Sequence, residues 1–204
     1  MGITHIREKQ YHFDPKILTM PGSIYLDGYW QSEKYFSDIA DIIKNEFRVK
    51  LPQTEENRRV AQQITSCESV SLHVRRGDYL TDAKTNTIHG TCELDYYARC
   101  IERLTQQVHH PYFFIFSDDP EWVAKNLKIT HPTTFVAHNG PEKSYEDLRL
   151  MSQCRHNIIA NSSFSWWGAW LNSNSNKIIY TPKKWFCDPN LNTKDLIPAT
   201  WQKL

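Results

Sequence analysis

From about Ser69 onward the chain alternates short apolar runs with stretches of helical periodicity, and this pattern restricts the fold more than any other feature. Ser69 to Val74 (SVSLHV) reads as a strand, followed by a polar loop through Gly90. Leu94, Ala98, Ile101, Leu104 and Val108 then recur at spacings of three and four, which marks a helix with one buried face. Tyr112 to Ser117 (YFFIFS) is a continuous apolar run, as expected of a strand covered on both sides. Asp119-Pro120-Glu121 opens a helix, with a capping acid, proline at the first position and a second acid in the first turn. Further strands are expected at Thr133 to Val136, Asn157 to Ala160 and Lys177 to Tyr180, with helices at Ser144 to Cys154 and Phe164 to Leu171. Five strands joined by four helices make an α/β fold with a parallel, doubly wound, Rossmann-like sheet, because each crossover is right-handed. Ligands of such sheets bind beyond the carboxyl ends of the strands, so chemistry is expected along that edge.

The first third of the chain is different. Phe36, Ile39, Ile43 and Phe47 form the apolar stripe of one helix, and Glu55 to Thr65 reads as another. Gly22 to Trp30 (GSIYLDGYW) is aromatic-rich and poor in helix signals. The expected division is a mainly helical or linker segment over 1–66 and a Rossmann-like domain over 67–204. A length of 204 residues with 40% hydrophobic residues suits one complete domain with flanking segments. The net charge of +1 supplies no general field to attract nucleic acid, so any bound anion must be gripped by a local basic cluster. No apolar run reaches the length of about eighteen residues that spans a bilayer, and Met1 to Gln10 lacks the apolar centre of a signal peptide. The five cysteines (Cys67, Cys92, Cys100, Cys154 and Cys187) are scattered, with neither disulfide-framework nor zinc spacing, which points to a reducing cytosol. Asn161-Ser162-Ser163 is a formal glycosylation sequon, but it directly follows an apolar strand, where a glycan would not fit.

The strongest chemical signal is His73-Val74-Arg75-Arg76-Gly77-Asp78-Tyr79, at the end of the first strand of the sheet. Each guanidinium presents a fork of five N–H donors and a charge that cannot be titrated away. That is what a diphosphate leaving group needs when no metal neutralises its growing charge. Strand alternation puts His73 and Arg75 on one face and Arg76 on the other, so the two arginines need not do the same job. The alternative is a surface arginine pair salt-bridged to Asp78. A second signal is Ala160 to Trp167 (ANSSFSWW), where a strand ends, small polar residues turn and a helix begins. Its unsatisfied N–H groups and the hydroxyls of Ser162 and Ser163 suit a phosphate; the plainer reading is a helix cap with core tryptophans. Asp147 could accept the paired N–H bonds of guanine, although an acid in the first turn of a helix more often offsets the dipole. Asp118-Asp119 invites a metal-binding reading, but with proline directly following, a helix start fits better than a metal site.

Taken in order, HVRRGDY, FIFSDDPEW and SYEDLRLMSQCRHNIIANSSFSWWGAWL resemble the motifs of the α-1,2-fucosyltransferases of glycosyltransferase family 11, and KIIYTPKKWF resembles that family's C-terminal run. The resemblance extends from about Tyr29 to Trp185. It implies the donor-binding half of a GT-B-like enzyme, with GDP-β-L-fucose as donor, inversion to an α linkage, a galactose-terminated glycan as acceptor, and no metal or other cofactor. Carried over residue by residue, it places phosphate and guanine contacts at Arg75, Arg76, Asp147, Ser163 and Phe164. His73 and Ser162 complete the candidate donor site, and Arg76, Asp78 and His73 are the candidate catalytic residues, with Asp78 nearest in position to serve as base. Nothing here matches the glycine-rich Gly-Gly-Leu-Gly-Asn-Gln-Met-Phe stretch that opens family members. Residues 1–66 are accordingly expected to be the remnant of a truncated first half. The alternative function is then a fragment that binds GDP-fucose with little or no transfer. A bacterial-type cytoplasmic location is expected, with peripheral association with the inner membrane as the alternative.

Overall fold

The computed structural model describes residues 2–204, and for Asp78 the backbone alone. The chain forms two compact units, residues 1–46 with 188–201, and residues 47–187 with 202–204. This division falls elsewhere than at the expected 66/67 boundary.

In the first unit, β1 (Thr4–Arg7) and β2 (Ile24–Asp27) pair in parallel, with α1 (Lys16–Thr19) between them and α2 (Ala40–Glu46) after two short 3-10 turns. Residues 188–201 join this unit through Asp195. Its carboxylate accepts from the Phe13 N–H at 3.0 Å and from Lys34 Nζ at 2.5 Å, and its carbonyl accepts from the buried Ser32 hydroxyl at 2.8 Å. Helices predominate over 1–66, but the strand pair is not legible in the sequence. Both strands are four residues long and neither has a buried residue, so no apolar alternation marks them.

The second unit runs α3 (Glu55–Thr65), β3 (Glu68–Val74), α4 (Gly77–Thr81), α5 (Ala83–His89), α6 (Leu94–Thr105), β4 (Pro111–Ser117), α7 (Pro120–Asn126), β5 (Thr133–Val136), α8 (Ser144–Gln153), β6 (His156–Ile158), α9 (Ser163–Trp170), β7 (Ile179–Thr181) and β8 (Gln202–Lys203). Its six strands are all parallel, in the order β5-β4-β3-β6-β7-β8. The Rossmann-like, doubly wound sheet is therefore present, with β8 as a sixth strand that is too short to carry a sequence signal. The chain starts at β3, steps outward through β4 to β5, and returns to β6 on the other side of β3. The strand order thus reverses between β3 and β6.

Side-chain alternation along β3 builds two cores. Val70, Leu72 and Val74 pack with Tyr97, Cys100 and Leu104 of α6 and Val123 of α7 on one face. On the other face Ile64 of α3 and Leu150, Met151 and Cys154 around α8 cover Phe114, Phe116 and Val136. The buried polar residues of β3 belong to this second face, where Asn157 Nδ2 donates to Ser71 Oγ at 2.7 Å and to the Met151 carbonyl at 3.0 Å.

The expected polar loop from 75 to 90 is corrected: it contains the two helices α4 and α5. Asp82 caps α5, accepting from the Lys84 N–H at 3.1 Å, and Gly90 closes it at φ +60°. Without an apolar stripe, these helices owe their place to partners distant in sequence. Asn161 Nδ2 donates to the His89 carbonyl at 2.8 Å, and Tyr79 Oη donates to the Asn161 carbonyl at 3.0 Å. The buried Asn161 thus has a structural task, which leaves no room for a glycan. Among the described residues no helix is long and apolar enough to cross a membrane.

Leu72 is fully buried in the central strand, whereas Leu80 is 45% exposed. Leu72→Ala should lower unfolding free energy by roughly 2–5 kcal/mol, and Leu80→Ala by no more than about 0.5 kcal/mol. Denaturant titration of the two variants measures both.

Candidate active site

Because β3 and β6 are neighbours, the segments that leave their carboxyl ends emerge side by side. His73 to Gly77 leaves β3, and Ala160 to Ser163 leaves β6 and enters α9. The ring of His73 lies 5.6 Å from that of Phe164 in the first turn of α9. The two strongest sequence motifs, about ninety residues apart, therefore meet at the point where the strand order reverses, the usual ligand crevice of such sheets.

The arginines go separate ways, as strand alternation predicts. Arg75 Nη1 lies 3.2 Å from Asp118 Oδ2, and its guanidinium sits 5.5 Å from the Tyr79 ring centroid. Arg76 Nε lies 3.4 Å from Asp119 Oδ2, and its guanidinium lies 3.2 Å from the centroid of Trp122 on α7. Among the described side chains the acidic partners are Asp118 and Asp119, directly after the neighbouring strand β4. The Asp78 side chain lies outside the described residues, so its roles as arginine partner and as base remain expectations.

Sequence reasoning did not single out Asp118 as the partner of the arginines. The β3–β4 register, with Val74 opposite Ser117, carries it alongside Arg75. Its carboxylate also accepts the backbone N–H groups of Arg76 at 2.9 Å and Gly77 at 3.0 Å. A Cβ at residue 77 would lie 2.8 Å from Asp118 Oδ2, so glycine is what lets this carboxylate close on the turn. Asp119 caps α7, accepting from the Trp122 N–H at 3.3 Å. Both acids are therefore committed to hydrogen bonds, and among the described residues no group of three or more His, Cys, Asp or Glu is placed to hold a metal ion.

His73 is only 3% exposed, and burial together with the nearby Arg75 charge lowers its pKa to about 3. It is a neutral imidazole at physiological pH, suited to hydrogen bonding rather than to accepting a proton. Its Nδ1 is buried and has no hydrogen-bond partner. At the start of α9, Ser162 is the capping residue but its side chain accepts no cap hydrogen bond, and Ser163 is exposed. The N–H groups of the first turn thus lack the side-chain cap that usually satisfies one of them.

Asp147 stands in the first turn of α8, and the loop after β5 supplies Asn139, whose Nδ2 donates to Asp147 Oδ1 at 2.8 Å. Burial raises the Asp147 carboxyl to about 6, the Asn139 hydrogen bond opposes that rise, and the Glu146 carboxylate adds to it. The structure thus lines the carboxyl edge of the sheet with residues from the ends of β3, β4, β5 and β6.

The sequence model of glycosyl transferase family 11 matches residues 4–203. The chain belongs to this family. An α-1,2-colitosyltransferase of Escherichia coli is 35% identical over 190 residues, which cover 91% of this chain and 64% of that protein. The O-antigen biosynthesis glycosyltransferase WbnK of Escherichia coli is 42% identical over 61% of this chain and 41% of its own length. A galactoside 2-α-L-fucosyltransferase of Caenorhabditis elegans is 27% identical over 89% and 53%. The chain thus spans 41% to 64% of the length of these curated relatives. The solved structure of an E. coli ADP-heptose heptosyltransferase II aligns with 76% of this chain and 44% of that one, at 14% identity and a TM-score of 0.44. The assignment of the fold rests on the parallel sheet itself rather than on that alignment.

The raised pKa of Asp147 has a consequence for stability. Between about 3.8 and about 6 the folded chain holds this proton more tightly than the unfolded chain does. The carboxyl's contribution to stability therefore falls as pH rises through that window. Asp147→Asn, which cannot titrate, should gain stability relative to the wild type between about pH 4 and about pH 7.5. Urea unfolding of both proteins at the two pH values measures the change.

Proposed function

We propose that this family 11 chain holds the nucleoside diphosphate of GDP-L-fucose at the β3/β6 reversal and serves transfer of the fucosyl group, with inversion, to the 2-hydroxyl of a galactoside. The observation that carries the reading is the arrival of the His73–Arg76 strand end and the start of α9 side by side at that point, with His73 against Phe164 and the two arginines leaving the same strand end. The α-1,2 linkage and the galactoside acceptor are taken from the names of the relatives.

In the proposed reaction the acceptor oxygen attacks the anomeric carbon of fucose while the bond to the β-phosphate oxygen breaks. Negative charge grows on the departing diphosphate, and Arg75 and Arg76 stabilise it as it forms. Asp118 and Asp119 hold the two guanidiniums in place beforehand, so little ordering remains to be done when the donor arrives. The N–H groups of the first turn of α9, with Ser162 and Ser163 beside them, offer a second contact to phosphate. His73 supplies a neutral hydrogen-bonding edge, and Asp147 accepts the N–H groups of guanine. The proton of the acceptor hydroxyl passes to a base, for which Asp78 is the nearest candidate. With two fixed cations at the leaving group, this chemistry requires no metal.

The colitosyltransferase similarity favours a second reading, in which the donor sugar is colitose, which is fucose lacking its 3-hydroxyl. The diphosphate and guanine contacts would be the same, and only groups near the sugar would differ. Assays for GDP release from GDP-fucose and from GDP-colitose, with lactose and related galactosides, separate the two readings.

Arg75→Ala and Arg76→Ala should each weaken GDP binding by roughly tenfold to a hundredfold, the loss expected for one charge-assisted contact of about 1.5–3 kcal/mol. Calorimetry measures this, and unchanged affinity in both variants would remove the diphosphate role. GDP binding should also survive an excess of EDTA; its abolition, with recovery on adding manganese or magnesium, would direct attention back to Asp118 and Asp119.

A further inference from the structure

Behind Asp147 lies a set of buried amides that the family motifs do not include. Asn57, in the first turns of α3, is completely buried. Its Nδ2 donates to Thr54 Oγ1 at 3.1 Å and to Asn139 Oδ1 at 2.9 Å. Its Oδ1 accepts from Asn139 Nδ2 at 3.0 Å and meets His138 Nε2 at 2.7 Å. Both amide protons and both acceptor positions of Asn57 are thereby used. Both amide protons of Asn139 are used as well, since its Nδ2 donates to Asn57 Oδ1 and to Asp147 Oδ1.

This closure fixes a direction. The two asparagines form a reciprocal amide pair, and because an ionised Asp147 can only accept, it is the Asn139 nitrogen that turns toward its carboxylate. A fully satisfied buried network holds one arrangement, because rotating any member leaves a buried polar atom without a partner. The network does not end on backbone, as a purely structural one might. It ends on a half-buried carboxylate in the first turn of α8, reached from the carboxyl end of β5, the same edge of the sheet that carries the arginines. Thr54 already caps α3 by accepting the Asn57 N–H at 3.3 Å, so that cap does not need the Asn139 bonds.

We infer that Asn139, held by Asn57, is a positioning residue for nucleobase selectivity: it pins one oxygen of Asp147 so that the carboxylate faces the N1–H and 2-amino group of guanine. This rests on the assignment of Asp147 to guanine in the proposed function. The amide bond also favours the ionised, acceptor-only form of the carboxyl, which guanine needs.

The experiment measures binding of GDP, ADP and inorganic pyrophosphate by calorimetry to the wild type, Asn139→Ala, Asn139→Asp and Asp147→Asn. ADP lacks both guanine donors, and pyrophosphate reports on the phosphate contacts without the base. Asn139→Ala should lower the preference for GDP over ADP about tenfold, with pyrophosphate affinity unchanged. Asn139→Asp, which keeps the volume but sets a carboxylate against a carboxylate, should lower it further. Retained pyrophosphate binding shows that each variant is folded, and the isosteric Asp variant decides the matter if the Ala variant does not fold. If Asp147→Asn removes the preference while both Asn139 variants keep it, the positioning role is overturned and the Asp147 assignment stands. If Asp147→Asn also keeps it, the assignment of Asp147 to guanine fails, and the inference fails with it.

Discussion

The pairing of β3 with both β4 and β6 is the constraint on which the second unit depends. A parallel strand needs a crossover to reach its neighbour, and the chain steps from β3 first to one side and then to the other, which with right-handed crossovers lays helices on both faces of the sheet. The loops that leave the carboxyl ends of β3 and β6 must therefore diverge, and the crevice between them is where both motifs arrive. The two cores follow from the same strand, because alternate residues of β3 face α6 and α7 on one side and α3 and α8 on the other.

The electrostatics of the crevice are organised by neighbouring strand ends. Arg75 and Arg76 leave β3 with two positive charges, and Asp118 and Asp119 leave β4 with two negative ones. Partial exposure limits what these pairs contribute to stability, since such ion pairs are typically worth no more than about 1 kcal/mol. Their value lies in orientation: Asp118 ties the Arg75 side chain and the Arg76 and Gly77 backbone to one point. The buried titratable groups complement this. His73 is held neutral by burial beside Arg75, and the carboxyl of Asp147 is raised by burial while the Asn139 hydrogen bond opposes that rise.

Much of the sheet could be read from the chain because burial on both faces writes itself into sequence as continuous apolar runs. Tyr112 to Ser117 shows this, and α6 shows the matching helical period over Leu94 to Leu104. The Asp119-Pro120 cap of α7 was equally plain, since capping is a local interaction. What escaped was held from a distance. The helices α4 and α5 lack an apolar stripe and depend on Asn161 and Tyr79, and β1, β2 and β8 are too short and exposed to leave a pattern. Asn57 and Asn139 escaped for the same reason: an asparagine's partners are set by side chains that the fold delivers.

By itself the sequence determined the parallel α/β character, the family, and the candidate groups at His73 to Asp78, Asp147 and Ala160 to Phe164. These rest on local periodicity, caps and ordered motifs, which are properties of neighbours along the chain. Only the tertiary structure decided that the arginines pair with Asp118 and Asp119, that His73 is buried and neutral, and that Asp147 is hydrogen-bonded by an amide pair reaching back to α3. Those outcomes depend on strand register and burial, and both are fixed by contacts between residues tens of positions apart, which no local pattern records.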